Sequence, residues 1–278
     1  MRLEQAIYTS LPGPRLAGYQ LAAVSPGISP SLARELTTWG PAHDALWDRR
    51  ADARSVNFHP LLSGQWCLSW TCVAGEEYSG RGGGRVYTQM FILPHTALER
   101  FENDPFLILR ALAAAGRLTI HDPVPGELPT VPLPGRGSAS DPALTQQVLE
   151  EVTAAVFDRI RRALMQAPRV AVVTSGHVER LFQALIRSFP LHQRPAISFT
   201  TGLKDTPCRP LRLFVLPRDP ALLRQVGRRC DVALIDVAEA AASAAHDLWP
   251  APLPSAAKRP PSLATGEAAY TPTADALR

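Results

Sequence analysis

The chain has 278 residues, of which 46% are hydrophobic and 19% charged, with a formal net charge of +4. That length holds two modest domains or one large one with ample core. The composition excludes a wholly disordered chain and a coiled coil, and no run of about 18 apolar residues exists to form a transmembrane helix.

The basic excess is spread out: residues 1–120 carry 11 basic and 10 acidic side chains, 121–217 carry 11 and 8, and 218–278 carry 7 and 7. Without a basic stripe interleaved with aromatics, nucleic acid is not an expected partner. Residues 1–10 lack a long apolar segment and a cleavage site, so no signal peptide is expected. Cys67, Cys72, Cys208 and Cys230 include no CxxC pair, and the histidines show no HxxxH spacing. The expectation is buried reduced thiols in a cytoplasmic protein, with no zinc and no other cofactor.

In chain order, residues 5–10 and 18–25 read as strands around the turn Leu11-Pro12-Gly13-Pro14. Ser29 caps a helix that has Pro30 at its first position and runs to Trp39. Residues 55–59 and 65–73 read as a hairpin, 85–93 as a strong strand, and two helices open at Pro94 and at Asp104-Pro105. Residues 122–141 are rich in proline and glycine with no periodic pattern, which predicts a surface linker between two modules.

Beyond it, Asp141-Pro142 opens a long helix in which Leu144, Val148, Val152, Val156, Ile160 and Leu164 recur every fourth residue. That stripe should bury against the apolar strand 169–174. Ser175-Gly176-His177 turns into a further helix. Strands follow at 196–200, 211–216 and 232–237, with a helix at 220–227. The expected class is α/β: an α+β module over 1–121, then an α/β module over 142–237 with a small, mostly parallel sheet. Residues 238–278 read as an Ala/Pro-rich tail, largely disordered.

Three segments could carry function. Ser79-Gly80-Arg81-Gly82-Gly83-Gly84-Arg85 lacks the Lys-Ser/Thr of a phosphate-binding loop and runs into a strand, so it reads as a hairpin loop. Arg81 and Arg85 could still grip an acidic partner. Ser175-Gly176-His177 sits at a strand's C-terminal end, where α/β folds bind ligands, but a nucleophile elbow would need GxSxG. The segment 200–209 gathers Thr200, Thr201, Gly202, Lys204 and Arg209 between two strands, a candidate partner-binding surface. No catalytic constellation emerges.

The stretches Gln5-Ala6-Ile7-Tyr8-Thr9-Ser10, Gly18-Tyr19-Gln20-Leu21 through Ile28, and Tyr78-Ser79-Gly80-Arg81 with Val86-Tyr87-Thr88-Gln89 resemble the N-terminal region of bacterial GTPase-associated proteins. Ile197-Ser198-Phe199-Thr200-Thr201-Gly202-Leu203-Lys204 and Arg209-Pro210-Leu211-Arg212-Leu213 resemble the middle region of the same proteins. The element order is also similar to that of longin–DENN modules in eukaryotic GTPase regulators, which is fold analogy alone. The resemblance implies a non-enzymatic adaptor or regulator that docks on a GTPase encoded nearby in a bacterial conflict or signalling system. It supplies no catalytic residues. The competing expectation is a hydrolase or nucleotide-binding enzyme built on the turn at Ser175–His177.

Overall fold

The computed structural model describes residues 1–12, 18–77, 84–138, 142–206 and 209–241. The expected loop 79–83 with Arg81, the cap Asp141 and the tail from residue 242 lie outside these. The described elements are β1 (Arg2–Leu11), β2 (Gly18–Val24), α1 (Pro30–Trp39), β3 (Arg54–Pro60), β4 (Trp66–Glu76), β5 (Gly84–Leu93), α2 (His95–Glu99) and α3 (Pro105–Ala114). They continue with β6 (Val131–Pro132), α4 (Pro142–Glu151), α5 (Ala154–Gln166), β7 (Arg169–Val173), α6 (Val178–Arg187), β8 (Phe199–Thr200), β9 (Leu213–Leu216), α7 (Pro220–Gly227) and β10 (Val232–Asp236).

The strands form a single sheet in the order β10-β7-β9-β8-β3-β4-β5-β1-β2, with β6 paired to β1. Strands β3, β4, β5, β1 and β2 pair antiparallel, while β10, β7, β9 and β8 run parallel. The seam is the antiparallel pairing of β3 with β8, Asn57 opposite Thr200 and Phe58 opposite Phe199. The fold is α/β, antiparallel in its first half and parallel in its second. No described helix is long and apolar enough to cross a membrane.

One face of the sheet carries most of the core. Val56, Phe58, Leu68, Phe91, Val170, Val172 and Phe199 pack there under α2, α3, α5 and α6. Phe199 lies at the centre, stacked on Phe106 of α3 at 4.8 Å, with Phe58 of β3 at 5.9 Å and Phe182 of α6 edge-on at 6.1 Å. Such ring pairs add to the apolar area they bury. The opposite face is covered at one end by α1, whose Leu32 and Leu36 pack on Ala6, Tyr8, Met90 and Ile92.

The linker expected over 122–141 is corrected over its described part, residues 122–138. Val131 and Leu3 are register partners, Leu133 N–H bonds to Met1 O at 2.9 Å, and Leu128 N–H bonds to Val24 O at 3.1 Å. Leu128, Val131 and Leu133 are buried. Proline removes donors but leaves carbonyls, and here Pro129 O accepts from Gln5 Nε2 at 2.7 Å. A proline-rich stretch thus packs as extended chain along the sheet.

The expected long helix is two. Thr153 accepts from Val156 N–H at 3.4 Å and caps α5 where α4 ends. The stripe from Leu144 to Leu164 is nonetheless buried in the same cluster as Val170 and Val172, as its spacing required. The strand expected at 196–200 shrinks to β8, because Leu191–Ala196 forms a 3-10 turn containing Pro195.

A polar joint fastens α3 to α6. The Asp104 carboxylate caps α3 through Phe106 N–H at 2.9 Å and Leu107 N–H at 3.3 Å. Its other oxygen accepts from Gln183 Nε2 at 3.0 Å and Arg187 Nε at 2.8 Å. Arg194 then bonds to the carbonyls of Phe189, Arg187 and Glu102 at 2.8–3.0 Å. Removing one partner of a buried pair is far costlier than the pair is stabilising. Asp104→Ala should therefore lower unfolding free energy by about 3–5 kcal/mol in urea titrations, whereas Asp158→Ala on the surface of α5 should change it by less than about 0.5 kcal/mol.

Cys67 and Cys72 are buried free thiols on opposite faces of β4, Cys67 against Met90 and Ile92, Cys72 against Ile7 and Tyr87. Burial pushes the Cys67 thiol up to about 12 and the Cys72 thiol up to about 11. Since the thiolate is the nucleophile, iodoacetamide at about pH 8 should leave both unmodified in the native protein while alkylating the exposed Cys230. Mass spectrometry before and after denaturation reads the difference.

Candidate functional site

Strand alternation turns Ser55, Asn57 and His59 of β3 away from the aromatic cluster. On that face the register sets Asn57 beside Ser69 of β4 and Thr200 of β8, and Thr71 beside Thr88 of β5. The Asn57 amide donates to Ser69 at 3.0 Å and Thr71 at 3.1 Å, and accepts from Ser55 at 2.7 Å and Thr200 at 2.6 Å. Thr71 and Thr88 bond at 3.0 Å. All these residues are buried. Both amide protons and both carbonyl lone pairs are used, so the network is satisfied and holds three strands and β8 in one register.

A cavity of about 20 Å³ lies over this polar floor, walled by Trp39, His59, Leu203 and Arg209. His59 Nδ1 is 3.0 Å from Pro60 O. A carbonyl only accepts, so Nδ1 carries the proton and Nε2 of the neutral ring keeps its lone pair. Burial pushes the His59 pKa down, and the Arg209 charge acts in the same direction, against weaker support for the charged form from Pro60 O and Glu35. The Trp39 ring meets His59 at 6.2 Å, and its buried Nε1 has no hydrogen-bond partner among the described residues. The space admits about one water molecule, too little for a substrate.

The residues expected to bind a partner divide between structural and outward roles. Thr200 belongs to the floor, and Thr201 accepts from Val56 N–H at 2.8 Å. Both are buried, so the expectation that they offer hydroxyls outward is corrected. Gly202 is favoured by proximity rather than by a left-handed turn, since a Cβ there would lie a tight 3.0 Å from Arg54 O. Trp47 N–H bonds to Gly202 O at 3.0 Å and Lys204 N–H to Ala45 O at 2.7 Å, which clamps the segment by one antiparallel bridge between Leu46 and Leu203. Lys204 Nζ pairs with Asp44 at 2.6 Å and holds that carboxyl below its ordinary pKa. Half-buried Arg209 donates to Lys204 O at 3.1 Å. Arg85 bonds to Ala74 O at 2.9 Å and Asp122 at 3.4 Å.

Asn57, His59, Ser69, Thr71, Thr88 and Trp39 were not singled out by the sequence. In β3 the run Ser-Val-Asn-Phe-His alternates polar and apolar, the pattern of a strand with one wet face. Only the partner strands show that the polar side is covered.

A second concavity of about 760 Å³ opens beside Ser175-Gly176-His177. Four chain segments meet there: Val148 to Val152 at the end of α4, the turn after β7, Arg218 after β9, and Val237 and Ala238 after β10. His177 precedes α6 without a side-chain capping bond and is exposed.

Sheet, helices and polar floor together define a mixed α/β protein whose first six strands form one antiparallel unit. That unit is matched by the family model for GTPase-associated protein 1, N-terminal domain type 2, over residues 2–134. Residues 2–134 are thus similar to the N-terminal domain of GTPase-associated proteins. The matched region runs past residue 121, taking in β6, and the segment 197–213 lies beyond it. No curated protein matches the chain.

A histidine kept neutral by burial contributes stability that is fully present above its unfolded pKa of about 6.5 and is lost as pH falls below it. Unfolding midpoints should therefore drop between about pH 7 and pH 5.5, and His59→Gln should flatten that part of the profile. An unchanged pH profile in His59→Gln would show that other groups govern it.

Proposed function

We propose that this protein is a non-enzymatic, cytoplasmic adaptor or regulator that docks on a GTPase encoded nearby in a bacterial conflict or signalling system. The match of residues 2–134 to the GTPase-associated protein 1 N-terminal domain carries this reading. The docking edge includes the end of the 200–209 segment. Lys204 and Arg209 are its two cations, both partly accessible, the Lys204 ammonium held by Asp44 and the Arg209 guanidinium by Lys204 O. A cation held in place loses little freedom on binding, and Arg209 presents a planar fork suited to a carboxylate. Arg85 sits in its own bonds to Ala74 and Asp122 and supports the surface from within.

Affinity purification of the tagged protein from its native host should recover a GTPase. Arg209→Ala should weaken that association by roughly tenfold to a hundredfold, as expected for loss of a charge-assisted bond, and lower stability by no more than about 1 kcal/mol. Normal binding by Arg209→Ala would reduce the segment to a connection. Recovery of no GTPase with the unaltered protein would remove the reading altogether.

A further inference from the structure

The concavity beside Ser175–His177 lies at a topological switch point. From β7 the chain continues into α6, whose Leu181, Phe182 and Leu185 pack on the aromatic face of the sheet. From the adjacent β9 it continues into α7, whose Val226, Leu222 and Leu223 pack on the other face. Connections that leave neighbouring parallel strands toward opposite faces open a crevice at the strands' C-terminal ends, where open α/β sheets take ligands. At about 760 Å³ the crevice is of small-molecule size.

Its chemistry is divided. The floor is aliphatic, formed by Val152, Leu181 and Val237, and no Phe, Tyr or Trp is among its described lining residues. Among the described residues a flat nucleobase would find no ring to stack on. At the rim stand the backbone of Ser175-Gly176-His177, opening an α6 that receives no side-chain cap from His177, and the guanidinium of Arg218. The rim carboxylate Glu151 is offset by Arg180, 3.8 Å away, and Arg218 shares its charge with Asp236. Helix N-termini and arginine favour an anion.

We infer that this crevice binds a small amphiphilic anion, an aliphatic chain ending in a carboxylate. The chain lies on Val152, Leu181 and Val237, and the carboxylate sits between Arg218 and the start of α6. This site is independent of the GTPase-docking edge.

Decanoate is the probe, with decanol and inorganic phosphate as its two halves. Isothermal titration and thermal unfolding are read on the full chain. At ten times its dissociation constant, decanoate should raise Tm by about 3–6 °C. Decanol should bind at least about tenfold more weakly, and phosphate alone should leave Tm unchanged. Ala238 is exposed and lines the crevice, so Ala238→Trp fills it from outside the core and should abolish decanoate binding while the free protein keeps its Tm. Arg218→Gln should weaken decanoate about tenfold and leave decanol unaffected. Decanoate without effect below its micelle range, equal binding of decanol, or undiminished binding by Ala238→Trp would each overturn the proposal.

Discussion

Two residues hold the molecule together. Strand β8 is only Phe199 and Thr200, yet it pairs with β3 on one side and β9 on the other, and so joins the antiparallel half of the sheet to the parallel half. Because successive strand residues face opposite ways, Phe199 enters the aromatic cluster while Thr200 enters the polar floor. A slip of one residue would exchange them, placing a hydroxyl among Phe58, Phe106 and Phe182 and a phenyl ring against Asn57. Neither exchange can be accommodated. The satisfied amide of Asn57 and the stacked rings therefore specify the same register from the two faces, and Gly202 lets the chain continue close against Arg54 O.

The domain matched over residues 2–134 owes much of its core to chain that follows it. Leu3, Phe58, Leu68 and Phe91 share one cluster with Val156, Ile160, Phe182 and Phe199. The Asp104 carboxylate, which caps a helix of the matched segment, has its charged partner on α6. Asn103 Nδ2 donates to Leu191 O at 2.8 Å and Trp66 Nε1 to Pro195 O at 3.1 Å, repeating the pattern. The first half contributes sheet, and the second contributes most of the helices that cover it.

What could be read from the residues was local. Ser29, Asp104 and Asp219 cap α1, α3 and α7 with prolines at the first turn, and those starts follow from cap chemistry alone. The four-residue stripe from Leu144 to Leu164 announced a buried face, although Thr153 breaks the helix that carries it. Residues 122–141 misled because proline content speaks of missing donors and is silent about which carbonyls accept. The polar floor was invisible for a related reason. Its residues come from four strands separated by up to 145 positions, and each strand alone shows ordinary alternation. Arg209 was noticed for its charge, while its neighbours His59 and Trp39 are near it only because β3 and α1 are folded beneath it.

The sheet also sets an order in which the chain can be finished as it is synthesised. The N-terminal strand β1 meets β2 early, but its pairing to β5 and β6 waits for residues 84–93 and 131–132. Strand β3 waits longer still, since the edge that will accept β8 is open until residue 200 has emerged. For about half of translation the growing polypeptide thus exposes this unpaired strand edge and the apolar face of Phe58 beside it, a hazard characteristic of folds with distant pairings. That interval leaves the nascent chain open to pairing with another strand edge before its own β8 arrives.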